Sequence, residues 1–560
     1  MNILGLNAVF HESSAALVVD GEVVAACEEE RFTRVKHGKE PRVDNPQVLP
    51  AQAIAFCLQQ AGISAREIDR VAYAFDPKLR RATFRPEWWF DPRWEETFLQ
   101  HLDKVDDSAS ELLRRRVGRA LKFVPHHVAH AASAYYPSGF DPAAILVIDG
   151  IGEACCSTLA LGEGARIRTL ETISYPHSLG FMWEQLSTHL GFSKYDASKV
   201  MGLAAFGDPE VCKNEFAAII QIGDDNYTVD LDVLGFRARD SSKLEALLGP
   251  LRQPWAEIAQ HHMDIAATLQ VVTDAAVMAL LRRLKRAAPA AERLCVAGGV
   301  ALNCVTNELM RTSGLFSQVF IPCAPHDAGT AIGAALAVHC AERKTRPRPS
   351  GATPYLGPQF DERAVVAAVR AAGLTPRRTK SAAREAADMI ADGNIVGWFQ
   401  GRMEMGPRAL GNRSLLADPR RPDTRDLINR RIKHREDFRP FAPSVLAEEA
   451  AEWFDMGPPS ASDEYMLFAC PAKAERRERI PAVLHQDGTG RVQLVRRASS
   501  PRYHQLISHF FARTGVPMVL NTSFNDSEPI VCTPEHAIAT FRKSGIDALF
   551  MGDVYLTAQT

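Results

Sequence analysis

LGLNAVFHESSAALVVDGEVVAACEEE, residues 4–30, and AAILVIDGIGEACCSTLALGEGARIRTL, residues 143–170, share one plan. Each reads as a strand, a small-residue turn carrying Gly, Asp or His, a second strand, a glycine turn and a third strand. The glycine turns are Asp20-Gly21 in one and Gly162-Glu163-Gly164 in the other. A strand meander used twice predicts a duplicated α/β domain with a cleft between its copies. The order strand, glycine turn, helix then appears twice more, in RLCVAGGVALNCVTNEL (293–309) and FIPCAPHDAGTAIGAALAV (320–338).

A doubled meander of this kind is the organisation of actin-like ATPases and sugar kinases, whose turns address nucleotide phosphates. Between the copies the pattern predicts a helix over about 50–62, and after them a long amphipathic helix over about 256–284. RPEWWFDPRWEETF (85–98) reads as a packed insertion or a binding element. Composition shifts at ERKTRPRPSGATPYLGP (342–358), which is basic and rich in Pro and Gly. The expected division is a first domain over 1–345, a linker over 346–357 and a second domain over 358–560. The second domain restarts with a helix-strand pair over 382–399.

A chain of 560 residues is too long for one ordinary core. A formal charge of −2 offers no electrostatic footprint for nucleic acid, so small or neutral partners are expected. The first residues lack the basic region and long apolar core of a signal peptide, and no run of about 18 uncharged apolar residues occurs. None of the eleven cysteines forms a CxxC pair, which argues against zinc knuckles and disulfides and for a reducing cytoplasm.

Two motifs carry chemistry. In HHVAHAASAYY (126–136), following Pro125, a helix stacks His126 and His130 on one face, while His127 points about 100° away and reads as capping or core. Two imidazoles make half a metal site, and carboxylates must complete it. Candidates are Asp149 and Asp327, each where an apolar strand runs out into a glycine turn. The second motif is the stretch 401–439, with eleven Arg and Lys against six Asp and Glu, locally +5. In GRMEMGPRALGNRS, Arg408 stands in a glycine-proline frame where backbone can approach an anion, and arginine's planar fork suits phosphate and carboxylate.

With these motifs and EEERFTRVKHG (28–38), SKVMGLAAFG (198–207), KHREDFRPFAPS (433–444) and LNTSFN (520–525), the chain resembles the O-carbamoyltransferases of natural-product biosynthesis. That group includes the tobramycin, cephamycin, novobiocin and nodulation-factor enzymes, and the likeness runs essentially the full length. It implies an N-terminal domain of the actin and sugar-kinase type and a C-terminal YrdC-like α/β domain, the threonylcarbamoyl-AMP synthase fold. It implies that the second domain makes carbamoyl-adenylate from carbamoyl phosphate and ATP, with Mg²⁺. The first then moves the carbamoyl group to a hydroxyl of a small natural product, such as an antibiotic precursor, beside a divalent metal expected to be iron(II), with manganese(II) as the alternative. Carried over, the metal ligands fall on His126, His130, Asp149 and Asp327, and the general base on His11, followed here by Glu12 where the family usually has Asp. ATP contacts fall on Lys199, Gly202, Gly298, Gly299 and Asn303; the carbamoyl phosphate cradle falls on Arg408, Lys433, Arg439, Arg491, Asn521 and Ser523. The family's arginine after NTSFN is missing here, where the chain reads DSEPIV, so either Arg496 or Arg497 substitutes or the donor binds more weakly. Expected partners are ATP, carbamoyl phosphate and the acceptor, without nucleic acid or membrane, and a homodimer is compatible. Two rival readings are a tRNA-modifying or hydrogenase-maturation carbamoyl transferase, disfavoured by the charge and the missing CxxC pairs, and a non-catalytic actin-like scaffold.

Overall fold

The computed structural model describes residues 1–39, 45–85, 92–235, 241–348 and 353–557. Parts of the stretch 85–98 and of the linker 346–357 lie outside the described residues. Two compact units form: Met1–Val24 with Pro41–Gly351, and Ala25–Glu40 with Ala352–Thr560.

The first unit repeats one sheet. Strands β1 (Asn2–Asn7), β2 (Ser14–Val19), β3 (Glu22–Glu28), β4 (Arg70–Tyr73) and β5 (Leu121–Phe123) lie in the order β3-β2-β1-β4-β5. Strands β6 (Ala143–Ile148), β7 (Cys155–Glu163) and β8 (Arg166–Ser174) form the second meander. The short pair β9 (Ile220–Ile222) and β10 (Tyr227–Val229) follows, and then β11 (Arg293–Ala297) and β12 (Gln318–Phe320) join the second sheet. Its order β8-β7-β6-β11-β12 is that of the first sheet. Polarity repeats as well: β1 runs antiparallel to β2 and parallel to β4, as β6 does to β7 and β11. The expected α/β duplication of the actin and sugar-kinase type is thus present, and its cause is local. β1, β2 and β6 are almost continuously apolar, as strands buried on both faces must be.

The helices that matter for function are α1 (Ala51–Ala61), α2 (Pro77–Thr83), α3 (Pro92–Asp103), α4 (His126–Ser138), α5 (Ala197–Ala204), α6 (Gln260–Ala287), α7 (Cys304–Thr312) and α8 (Thr330–Arg343). α4 packs on β6 and β11 of the second sheet, α8 on β1 and β2 of the first, and the two helices pack on each other between the sheets. Their close approach needs Gly333, where an added Cβ would lie 1.8 Å from the Ala129 carbonyl oxygen. Among the described residues one helix, α6, is long and apolar enough to cross a membrane, but 72% of its apolar window is buried inside the fold. No two of the eleven cysteines form a disulfide.

The second unit is also α/β. Its strands are β13 (Arg377–Arg378), β14 (Val396–Phe399), β15 (Arg413–Ala417), β16 (Ala442–Leu446), β17 (Ala469–Pro471), β18 (Thr489–Arg491), β19 (Gln493–Val495), β20 (Met518–Ser523), β21 (Ala548–Met551) and β22 (Val554–Thr557). Eight of them make a mixed sheet in the order β13-β22-β21-β14-β15-β20-β16-β19, and β17 pairs with β18 apart from it. Residues 25–40 belong here: Arg31 donates to the Gly406 carbonyl at 2.9 Å, and Arg34 donates to that of Ile530 at 2.7 Å.

Candidate active site

The helix predicted over HHVAHAASAYY is α4; Pro125 stands just ahead of it, at the N-cap position but with no capping hydrogen bond from its side chain. His126 and His130 are fully buried on one face, with ring centroids 4.7 Å apart. Asp149 follows the last residue of β6, and Asp327 opens the turn into α8. The helix pair between the sheets brings all four together. His126 Nε2 lies 3.4 Å from Asp149 Oδ2 and 3.5 Å from Asp327 Oδ1, and His130 Nε2 lies 3.7 and 3.5 Å from the same oxygens. Bonds of about 2.1 Å to a divalent ion hold neighbouring ligand atoms about 3–3.5 Å apart, so the set fits one cation.

Hydrogen bonds prepare these atoms. His126 Nδ1 meets the Ala74 carbonyl at 3.0 Å, which makes Nδ1 the donor and leaves Nε2, buried and without a hydrogen bond, facing the carboxylates. Asp149 Oδ1 accepts the Gly299 N–H at 2.9 Å, which turns Oδ2 toward the imidazoles. Burial opposes charge on every member, yet the Asp327 and Asp149 carboxylates outweigh it and hold His126 well above the usual imidazole value. Burial also works against ionisation of Asp149, but the two imidazoles keep it well below the usual carboxylate range. His127 has no such balance: burial pushes it down to about 3, and its Nδ1 pairs with Thr158 Oγ1 at 2.8 Å. It is a neutral core histidine, one of the two roles expected for it.

His11 stands at the edge of this cluster, its Nδ1 4.0 Å from Asp327 Oδ2 and its ring 5.3 Å from that of Tyr195. The flanking residues Phe10 and Glu12 both have positive φ, 55° and 58°, costly for side chains other than glycine. The turn is pinned from both sides. Asn7 Nδ2 donates to the carbonyls of His11 and Glu12, and the Phe10 ring stacks on Phe98 at 5.8 Å. Phe98, from the 85–98 stretch, thereby serves as a packing residue of the site.

The expected ATP residues separate into different jobs. Lys199 of α5 lies 3.3 Å from Asp196, with Gly202 one turn further along the same helix. Gly298, at φ 97°, lets β11 pass the Ile148 carbonyl, where a Cβ would sit 2.1 Å away, and Gly299 holds Asp149. Asn303 is committed at both ends of its amide: Oδ1 accepts the N–H groups of Val305 and Thr306, and Nδ2 donates to Gln270.

In the second unit the +5 stretch resolves residue by residue. Arg420, Arg421, Arg425 and Arg430 form local ion pairs with Asp418, Asp423, Asp426 and Asp437. Arg413 is fully buried and donates to the carbonyls of Gln400 and Pro358. Glu404 accepts from the N–H groups of Leu410 and Asn412 and so fixes the loop carrying Arg408. Lys433, Arg435, Arg439 and Arg491 form one cationic neighbourhood. Burial and the charges of Arg435 and Arg439 push Lys433 well below the usual lysine value, and burial with Arg439 and Arg491 pushes Arg435 down to about 9. The Lys433 ammonium donates to the carbonyls of Ser523 and Asn525 at 2.6 and 2.8 Å and to the Asn525 side chain at 2.6 Å, so it fastens the NTSFN turn. Asn521 Nδ2 donates to Ala409 O, Ser444 Oγ and Gln493 Oε1, which leaves its buried Oδ1 as the unused acceptor. Arg496 is paired with Glu464 at 3.1 Å, and Arg497 lies on the same exposed turn.

Residues 2–336 match the family described as carbamoyltransferase N-terminus, and residues 387–558 the one described as carbamoyltransferase C-terminus. The chain belongs to the carbamoyltransferase family. This carbamoyltransferase is similar to an uncharacterised protein of Synechocystis, at 36% identity covering 100% of this chain and 97% of that one. It is similar to nodulation protein NolNO of Sinorhizobium fredii, at 37% covering 99% and 80%. It is also similar to nodulation protein U of Rhizobium fredii, at 30% covering 92% and 88%. Sequence reading of the carbamoyltransferase missed Arg435, although it lies inside the quoted motif KHREDFRPFAPS. Arg435 Nη2 is a buried donor without a hydrogen bond, beside two further arginines. Sequence reading also missed Tyr195 beside His11, for which no local pattern gave a signal.

Proposed function

We propose that this enzyme is an ATP-dependent O-carbamoyltransferase: carbamoyl phosphate, water and ATP give carbamoyl-adenylate with release of phosphate and pyrophosphate, and the carbamoyl group passes to a hydroxyl of a small natural product with release of AMP. The observation that carries the reading is the convergence of His126, His130, Asp149 and Asp327 beside His11. His11 takes the proton from the acceptor hydroxyl as that oxygen attacks the carbamoyl carbon and AMP leaves, the work of a positioned imidazole in general-base catalysis. The four ligands hold iron(II) or manganese(II), which supplies Lewis-acid stabilisation of the developing negative charge. A first domain over 1–345 performs transfer, with Lys199, Gly202, Gly298, Gly299 and Asn303 shaping its nucleotide side, and a second over 358–560 forms the adenylate with Mg²⁺-bound ATP.

In the second domain Arg408, Arg439 and Arg491 hold the phosphate of carbamoyl phosphate, with Lys433, Asn521 and Ser523 building the wall. Arg435 provides the cation that the DSEPIV loop lacks; its spare buried N–H and its arginine neighbours support this over Arg496, which is committed to Glu464. Paired charge and hydrogen bonds around a dianion are short and strong. A setting in the cytoplasm, where ATP and carbamoyl phosphate are made, agrees with eleven cysteines and no disulfide. Pyrophosphate release is expected to require carbamoyl phosphate, and incubation with hydroxylated metabolites is expected to add one carbamoyl group by mass spectrometry. ATP turnover indifferent to carbamoyl phosphate overturns the reading.

A further inference from the structure

Helix α4 begins without a cap of its own: Pro125 has no side chain that can accept from the first N–H groups, which would be left unsatisfied in the interior. A carboxylate from 27 residues further along the chain fills the position. Glu153, 1% exposed, accepts the His126 N–H through both oxygens, at 2.9 and 3.2 Å. The same Oε1 accepts the Asp76 N–H at 2.8 Å. Its negative charge lies at the positive end of a thirteen-residue helix, where it is favourable.

Each segment so joined carries part of the four-ligand cluster. The start of α4 supplies His126 and, one turn on, His130. The end of β4 supplies the Ala74 carbonyl that orients the His126 ring, two residues before Asp76. The β6–β7 loop, 149–154, supplies Asp149 at its start and Glu153 near its end. That loop is itself anchored. Arg80 of α2, fully buried, donates to the Glu153 carbonyl at 2.6 Å and is held by both oxygens of Glu95 on α3, at 2.9 and 2.7 Å. Gly152 lets the loop lie on the helix start, where a Cβ would come within 2.9 Å of the His127 ring.

We propose that Glu153 is the positioning residue of the cation site: by capping α4 and tying it to β4, it fixes the distance between the imidazole pair and the Asp149 carboxylate. This rests on the reading that the four side chains hold a divalent ion. Glu153→Gln keeps an oxygen that can accept both N–H groups, whereas Glu153→Leu keeps the shape and removes every acceptor. The test measures binding of Mn²⁺ alone to the full chain by calorimetry, with the visible spectrum of the Co²⁺-loaded protein as a signature of ligand geometry. Glu153→Leu is expected to bind Mn²⁺ about 10–100-fold more weakly with an altered Co²⁺ spectrum, and Glu153→Gln to stay within about tenfold with the parent spectrum. Carbamoyl phosphate-dependent pyrophosphate release is expected to be unchanged in both. If the leucine variant does not fold, Glu153→Asp, one methylene too short to reach, takes its place with the same expectation. A folded leucine or aspartate variant with parental Mn²⁺ affinity and Co²⁺ spectrum overturns the proposal and leaves the cation site standing. A parent protein that binds no Mn²⁺ overturns both.

Discussion

At the scale of single residues, the site works by taking choices away from side chains. His126 has one ring orientation because Ala74 O pairs with Nδ1, and Asp149 has one inward oxygen because Gly299 holds the other. His11 is held by backbone strain on both sides, which the surroundings sustain through Asn7 and the Phe98 stack. His11→Ala should lower carbamoyl transfer about 10²–10⁴-fold while leaving Mn²⁺ binding intact, and steady-state kinetics beside calorimetry check the pair of outcomes. Arg435→Gln should remove one charge-assisted contact, about 1.5–3 kcal/mol, and raise the KM for carbamoyl phosphate about 10–100-fold. An unchanged KM would return Arg435 to a purely structural role.

At the scale of elements, the helix pair α4 and α8 sets the geometry, since one carries the imidazoles and the other starts at Asp327. Gly333→Ala would drive a methyl group into the Ala129 carbonyl, so the helices must separate. Overpacking of this kind costs about 1–3 kcal/mol or more, and a lowered melting temperature with weakened metal binding is expected together. Helices α6 and α7 are joined by a polar network in which Asp274 accepts from Thr306 Oγ1 at 2.6 Å and from Gln270 at 2.9 Å. Burial raises the Asp274 carboxyl to about 6, above its ordinary 3.8. The folded protein therefore holds this proton more tightly than the unfolded chain. Stability falls as pH rises from about 4 to about 6, and the deficit, at most about 3 kcal/mol, persists above that. Asp274→Asn should accordingly stabilise more at pH 8 than at pH 4.5, as denaturant titrations at the two pH values would show.

At the scale of the whole molecule, the candidate groups fall into two units: the His and Asp cluster in one, the arginine cluster in the other. The proposed reaction divides in the same way. Arg408→Ala should abolish carbamoyl phosphate-dependent pyrophosphate release yet transfer the carbamoyl group from chemically prepared carbamoyl-adenylate. His126→Ala should keep pyrophosphate release and lose transfer. A variant that loses both partial reactions while remaining folded would contradict this division.

The sequence by itself determined what is local. Apolar runs broken by glycine turns dictated both meanders, and the i, i+4 spacing put His126 and His130 on one helix face, because hydrogen bonding and periodicity act over a few residues. Strand-end placement made Asp149 and Asp327 candidates, and the tertiary structure brings them within reach of both imidazoles. Only that structure decided which long-range neighbours serve the site. Glu153 caps a helix 27 residues upstream, Gly299 holds a carboxylate 150 residues away, Asn303 is used up in capping α7, and residues 25–40 pack with the second unit. The +5 stretch needed it most, since Arg413 in the core, Arg420 paired with the buried Asp418 and Arg435 in the cationic cluster differ only in what surrounds them. Burial and partners, which set the cost of a charge, belong to the folded chain and leave no local pattern to read.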